Sequence, residues 1–91
     1  MKFEKRTAVV TGGAGEIGKA LCRKLCEQGV AVALTDLDLD RAEEAVSSIR
    51  RDGFRIRAYE MNVESAESVR SAAEKILADF GQVDILVNNA G

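Results

Sequence analysis

The sequence predicts an α/β fold: a doubly wound parallel sheet of four strands in the order 3-2-1-4, with three helices. Three observations lead there. Short apolar runs of strand length alternate with longer segments whose apolar residues recur at helical spacing. Each helical segment closes at a glycine, Gly29, Gly53 or Gly81, just before the next apolar run. A helix between successive strands demands parallel pairing, and each such crossover is right-handed.

The elements follow in order. Strand one covers about Arg6 to Val10, and helix one about Glu16 to Gln28, with Ile17, Leu21 and Leu25 on one face. Strand two is Val30 to Thr35, a near-continuous apolar run of the kind covered on both faces. Asp38 or Asp40 caps helix two, which runs to about Asp52 with Leu39, Ala42, Val46 and Ile49 inward. Strand three is about Arg55 to Met61. Helix three spans Ala66 to Phe80, with Val69, Ala73, Ile76, Leu77 and Phe80 as its inner stripe. Strand four is Val83 to Val87, followed by Asn88-Asn89-Ala90-Gly91. No repeat, linker or low-complexity tract interrupts this single unit, residues 1–91.

In such a sheet the winding reverses between strands one and four, and ligands bind there, outside the carboxyl ends of the strands. The distinctive residues fall at those ends. Gly12-Gly13-Ala14-Gly15-Glu16-Ile17-Gly18 follows strand one, Asp36 and Leu37 follow strand two, Asn62 and Val63 strand three, and Asn88 to Gly91 strand four. A strand, a glycine turn and a helix start form a pyrophosphate site: the glycines admit the phosphates, and the first-turn N–H groups face the anion. A glycine cluster also serves tight packing alone. Here Asp36 lies 18 positions past Gly18, where an acid accepts from the ribose hydroxyls of a bound dinucleotide.

Composition narrows the classes. The net charge is −2, with no basic footprint for nucleic acid and no polybasic patch for membranes. No apolar run reaches membrane-span length, and charges at Lys2, Glu4, Lys5 and Arg6 break up any signal-peptide pattern, so the expected location is cytoplasmic. There is no histidine, which removes His-dependent triads and His-ligated metals from this segment. Cys22 and Cys26 share a helix face. They read either as a metal or redox pair or as two small buried thiols. The second reading is preferred, since two ligands without a second pair do not make a zinc site.

The glycine motif and the run Phe80-Gly81-Gln82-Val83-Asp84-Ile85-Leu86-Val87-Asn88-Asn89-Ala90-Gly91 resemble the N-terminal half of short-chain dehydrogenases/reductases. The last four residues match that family's N-N-A-G signature, and the ending is similar to 3-oxoacyl-acyl-carrier-protein reductases. The resemblance implies a Rossmann-type fold and hydride transfer between a nicotinamide cofactor and an alcohol/carbonyl pair. It implies that Asn89 contacts the adenosine ribose, and that Ala90 and Gly91 let the backbone approach the cofactor. An acid commonly stands at position 62 in the family and accepts from the adenine amino group; the side-chain carbonyl of Asn62 can do the same, and a plain turn residue is the alternative.

The chain departs from the family at the glycine motif. The single-domain branch reads T-G-x-x-x-G-x-G, whereas Glu16 stands here and the glycine is Gly15, the register of extended-branch sugar-nucleotide epimerases and dehydratases. The N-N-A-G ending favours the single-domain branch. Glu16 suits the positive helix start but opposes a pyrophosphate unless it points to solvent, as expected here.

The expected cofactor is NAD rather than NADP. Asp36 can accept from both ribose hydroxyls, while a 2′-phosphate meets like charge. Leu37 stands where an NADP-preferring relative carries Arg, and the glycine turn holds no Lys or Arg. The family's catalytic Ser, Tyr and Lys lie beyond position 91, so no catalytic residue is assigned; the single tyrosine, Tyr59, sits in strand three. The chain alone is expected to hold the adenosine end of the cofactor and to be inactive. An unpaired edge of strand four would invite another chain, so a homo-oligomer is possible. A noncatalytic dinucleotide-binding module is the remaining alternative.

Overall fold

The computed structural model describes residues 6–89. The elements are β1 (Thr7–Thr11), α1 (Glu16–Glu27), β2 (Ala31–Asp36), α2 (Leu39–Arg51), β3 (Ile56–Glu60), α3 (Ala66–Phe80) and β4 (Ile85–Asn88). The sheet has the order β3-β2-β1-β4, and every pairing is parallel. Order and element count match the sequence expectation. Strand boundaries differ from it by one or two residues: β1, β2 and β4 each run further toward the carboxyl end, carrying Thr11, Asp36 and Asn88 into the ladder.

Alternate residues of β1 explain why both faces are covered. Ala8 and Val10 join Cys22, Cys26, Val32, Leu34, Ala42, Val46, Ile49 and Ile56 in one core, beneath α1 and α2. Val9 joins Ala31, Ala33, Tyr59, Ile76 and Phe80 in a second core, beneath α3. The helices therefore change face between the β2–β3 and β1–β4 halves. That change opens the crevice at the strand tips.

Local chemistry sets the helix ends. The Asp38 carboxylate accepts from the Arg41 N–H at 3.2 Å, which makes Asp38 rather than Asp40 the cap of α2. Ser65 caps α3 by accepting from Ser68 N–H at 3.1 Å. α3 stops at Gly81, whose φ of 83° lies in the left-handed region, and the Gly81 N–H bonds the Leu77 carbonyl.

The inner stripes need correction. In α3 the buried residues are Ala72, Ile76 and Phe80; Val69, Ala73 and Leu77 are exposed. The helix touches the sheet along a narrow i, i+4, i+8 line, so the flanking apolar positions are left outside. In α1 the buried positions are Gly18, Cys22 and Cys26, with Leu21 and Leu25 only partly covered. Ile17 sits in the first turn and is 77% exposed. Leu39, at the start of α2, is likewise exposed. Among the described residues no helix is long and apolar enough to cross a membrane.

Burial in the first core pushes the Cys22 thiol up to about 12, with the neighbouring Cys26 adding to the shift. Burial also pushes Cys26 up to about 11, against the opposing pull of Arg23. Both stay protonated at neutral pH, and a thiol reacts through its thiolate. DTNB at pH 8 should therefore label the native thiols roughly a hundredfold more slowly than the urea-unfolded ones. Equal rates would contradict the burial. Because the folded values lie above the unfolded ones, stability is intact below pH 9 and falls as pH rises toward 11 to 12. The urea midpoint should follow that slope, and a Cys22→Ala, Cys26→Ala variant should flatten it.

Candidate functional site at the strand tips

The turn after β1 is built on two close approaches. Gly12 takes a φ of 64°, which L side chains rarely adopt. The Gly13 N–H then bonds the Thr35 carbonyl at 2.9 Å, fastening the turn to the end of β2. At Gly18 a Cβ would stand 2.5 Å from the Gly12 carbonyl oxygen, 2.7 Å from the Gly13 Cα and 2.9 Å from Asn89 Nδ2. Only hydrogen fits there, so α1 rests directly on the turn. Gly15 is the N-cap of α1 and contributes no side-chain cap, in contrast to Asp38 and Ser65 on the other helices. The first-turn N–H groups of α1 are thus left without a side-chain partner.

β4 is tied to the same turn. Asn89 Nδ2 donates to the Gly12 carbonyl at 3.1 Å, and the Asn89 N–H donates to Thr11 Oγ1 at 3.0 Å. The Thr11 hydroxyl also lies 3.2 Å from Asn88 Oδ1. Asn89 therefore braces the glycine turn. Ala90 and Gly91 lie outside the described residues.

Asp36 joins β2 to the turn. Its Oδ2 accepts from the Ala14 N–H at 3.2 Å and its Oδ1 from the Asp38 N–H at 3.1 Å. The residue is 9% exposed. Each carboxylate oxygen has a second lone pair, so this fixed carboxylate can still accept from a ligand hydroxyl. Beside it lies a cleft of about 360 Å³ lined by Gly12, Asp36, Leu37, Met61, Asn62, Val63 and Glu64. The tips of β1, β2 and β3 thus meet in one cavity. Leu37, 66% exposed, and Val63, 48% exposed, offer it apolar surface. Its charged lining residues, Asp36 and Glu64, are both acidic.

Two cations that sequence reasoning missed stand nearby. Lys19 and Arg41 line a smaller cleft with Ala14, Glu16, Glu44 and Ala45. Glu16 is exposed, as expected. Lys19 stands one turn past Gly15 and Arg41 in the first turn of α2, spacings that place both near the glycine turn. Two carboxylates oppose two cations in that cleft, so it carries no net positive charge.

A larger cleft of about 620 Å³ lies elsewhere, along the outer edge of β3. Its arginines, Tyr59 and Asp79 are engaged within the chain. Asp79 pairs with Arg57 at 3.1 Å and accepts from the Tyr59 hydroxyl at 2.7 Å. The Tyr59 hydroxyl holds the Asp79 carboxyl below its usual range, Arg57 adding to the effect, while burial and that hydrogen bond push Tyr59 up to about 12. Arg50 donates twice to the Ile56 carbonyl, at 3.2 and 3.1 Å, and Arg55 lies 4.7 Å over the Phe80 ring. These groups blunt an edge strand.

Fold and tip geometry together define a Rossmann-type α/β protein. The profile of the short chain dehydrogenase family matches residues 6–91, and the chain belongs to that family. It is 37% identical over 90 residues to the uncharacterized oxidoreductase YxbG of Bacillus subtilis (strain 168), covering 99% of this chain and 33% of that protein. The crystal structure of NAD+-bound xylitol dehydrogenase superposes with a TM-score of 0.94 at 40% identity, over 100% of this chain and 35% of that one. A metagenomic short-chain oxidoreductase in complex with NADP gives 0.91 at 32% identity, over 100% of this chain and 41% of that one. The chain thus spans about a third of the length of such relatives.

The Gly18 contact yields a direct test. Gly18→Ala forces a methyl against backbone, and overpacking of this kind costs about 1–3 kcal/mol or more. Gly15→Ala meets nothing closer than 3.8 Å and should cost under about 1 kcal/mol. Urea unfolding of both variants checks the order; equal midpoints would contradict the packing.

Proposed function

We propose that these strand tips seat the adenosine diphosphate end of a nicotinamide dinucleotide. In the whole protein this seat serves hydride transfer between the cofactor and an alcohol/carbonyl pair of a small-molecule substrate. The observation that carries the reading is the fixed Asp36 carboxylate, held beside a glycine turn that a single Cβ would fill. The residues fit the group. The turn Gly12, Gly13, Ala14 and Gly15, with the amides of Glu16, Ile17 and Gly18, faces the pyrophosphate. Asp36 accepts from the ribose hydroxyls. Leu37 and Val63 flank the base, Asn62 stands at its edge, and Asn89 closes the β4 side; the family resemblance gives Ala90 and Gly91 a part in cofactor binding. The bound cofactor supplies or accepts the hydride; this chain binds and orients it. None of the described residues is assigned a role on substrate.

NAD is the preferred cofactor in this reading. A 2′-phosphate would enter a cleft whose charged side chains are Asp36 and Glu64, and the neighbouring Lys19 and Arg41 are offset by Glu16 and Glu44. Like charges juxtaposed in a binding site cost several kcal/mol. Support from relatives is divided, since one neighbour is described with NAD+ and another with NADP. The glycine register of the extended-branch epimerases does not outweigh a short chain dehydrogenase match across residues 6–91.

Calorimetric titration of both cofactors tests the preference. The native chain should bind NAD at least about tenfold more tightly than NADP. Asp36→Asn keeps an acceptor for one amide and removes the charge, so the ratio should shift toward NADP by about tenfold. An unchanged ratio would remove Asp36 from the assignment.

A further inference from the structure

A cleft of about 390 Å³ stands at the opposite end of the sheet from the glycine turn, where the strands begin. Arg6 stands before β1, Val30 before β2, Phe54 and Arg55 before β3, and Gln82 before β4. Hydrogen bonds fix this rim. The Ala31 N–H donates to the Arg6 carbonyl at 2.9 Å, and the Val32 N–H to the Arg55 carbonyl at 3.0 Å. Phe54 packs against the core beneath α1 and α2, and Phe80 belongs to the core beneath α3. Aromatic surface from both faces of the sheet therefore reaches the cleft.

Charge sets it apart from the other clefts. The ion pairs among the described residues are Arg23 with Asp52 and Arg57 with Asp79; Arg6 and Arg55 belong to neither. Arg55 Nη2 donates to the Asp79 carbonyl at 3.2 Å, and its guanidinium lies 4.7 Å over the Phe80 ring. A carbonyl and a ring orient that guanidinium without neutralising it. The Arg6 side chain has no partner among the described residues. No described residue lining the cleft is acidic, whereas the β3 groove, the tip cleft and the Lys19–Arg41 cleft all carry carboxylates. Asp84 accepts from the Thr7 N–H at 2.9 Å and from Gln82 Nε2 at 2.6 Å, and it does not line the cleft. In a chain of net charge −2, two unneutralised guanidinium groups thus converge beside two aromatic rings.

We propose that this cleft binds a small organic anion, a carboxylate carried on a flat apolar body. Arg6 and Arg55 donate to the carboxylate, whose geometry the planar guanidinium fork matches. Phe54, Phe80 and Val30 cover the body. The volume falls within the range of small-molecule pockets, which pair apolar walls with a few placed polar groups. The site is separate from the strand tips and does not depend on the dinucleotide reading.

The probe is 2-naphthoate, titrated into the full 91-residue chain and followed by calorimetry and amide NMR. It should bind with a dissociation constant of about 1 mM or tighter. The shifts should fall at residues 6–7, 29–31, 54–55 and 80–82. The uncharged 2-naphthamide should bind at least about tenfold more weakly, and Arg6→Gln and Arg55→Gln should each weaken 2-naphthoate by about fivefold or more. Arg41→Gln, at the other end of the sheet, should leave the affinity unchanged. Four results each overturn the proposal: no binding, equal binding of the amide or of inorganic phosphate, an affinity unmoved by Arg6→Gln or by Arg55→Gln, or shifts centred on residues 12–18. Circular dichroism of each variant separates a folding defect from a lost contact. Arg6→Gln disturbs no side-chain bond among the described residues, so it keeps the test decisive even where Arg55→Gln perturbs β3.

Discussion

The absence of a side chain at Gly18 is the constraint on which the site depends. It lets the first turn of α1 lie on the backbone of Gly12 and Gly13 and brings both against Asn89. The glycine turn, the start of α1 and the distant Asn89 then meet within van der Waals distance. A methyl group there would lift the helix from the turn and separate the β1 and β4 tips. Close backbone approach is a use of glycine distinct from its tolerance of positive φ. The two occur side by side here, with Gly12 supplying the turn and Gly18 the contact.

Hydrogen bonds then make the tips one body. Gly13 reaches Thr35, Ala14 reaches Asp36, and Asn89 reaches both Gly12 and Thr11. Asp36 thereby does two jobs: its carboxylate satisfies two loop amides and remains able to accept more. A carboxylate pinned by N–H donors loses little side-chain freedom on meeting a ligand, which favours affinity through preorganisation.

Much of this was legible in the sequence, and the failures have physical causes. Short apolar runs alternating with helical patterns gave the element order, and a doubly wound sheet whose winding reverses beside strand one gave the order 3-2-1-4. The four tip segments were identified because glycine, acidic and Asn residues stood where apolar runs ended. Ile17, Val69, Ala73 and Leu77 were misplaced because helical periodicity shows that a stripe exists but not how far the sheet extends beneath it. Ile17 overhangs the strand tips, and α3 meets the sheet along the single line Ala72, Ile76, Phe80. The pairing of Lys19 with Arg41 in one cleft depends on how α1 and α2 sit side by side, which no local pattern records.

Two clefts compete for the ligand: the tip cleft beside Asp36, and the larger groove along β3 whose arginines and Asp79 are already paired. Volume favours the groove; free hydrogen-bonding capacity and the glycine turn favour the tips. Amide NMR of the labelled chain during titration with NAD separates them most directly. Shifts should be confined to residues 12–18, 36–37, 62–64 and 89–91, with Arg50, Arg57, Tyr59 and Asp79 unmoved. Shifts centred on those four residues, with the glycine turn silent, would contradict it.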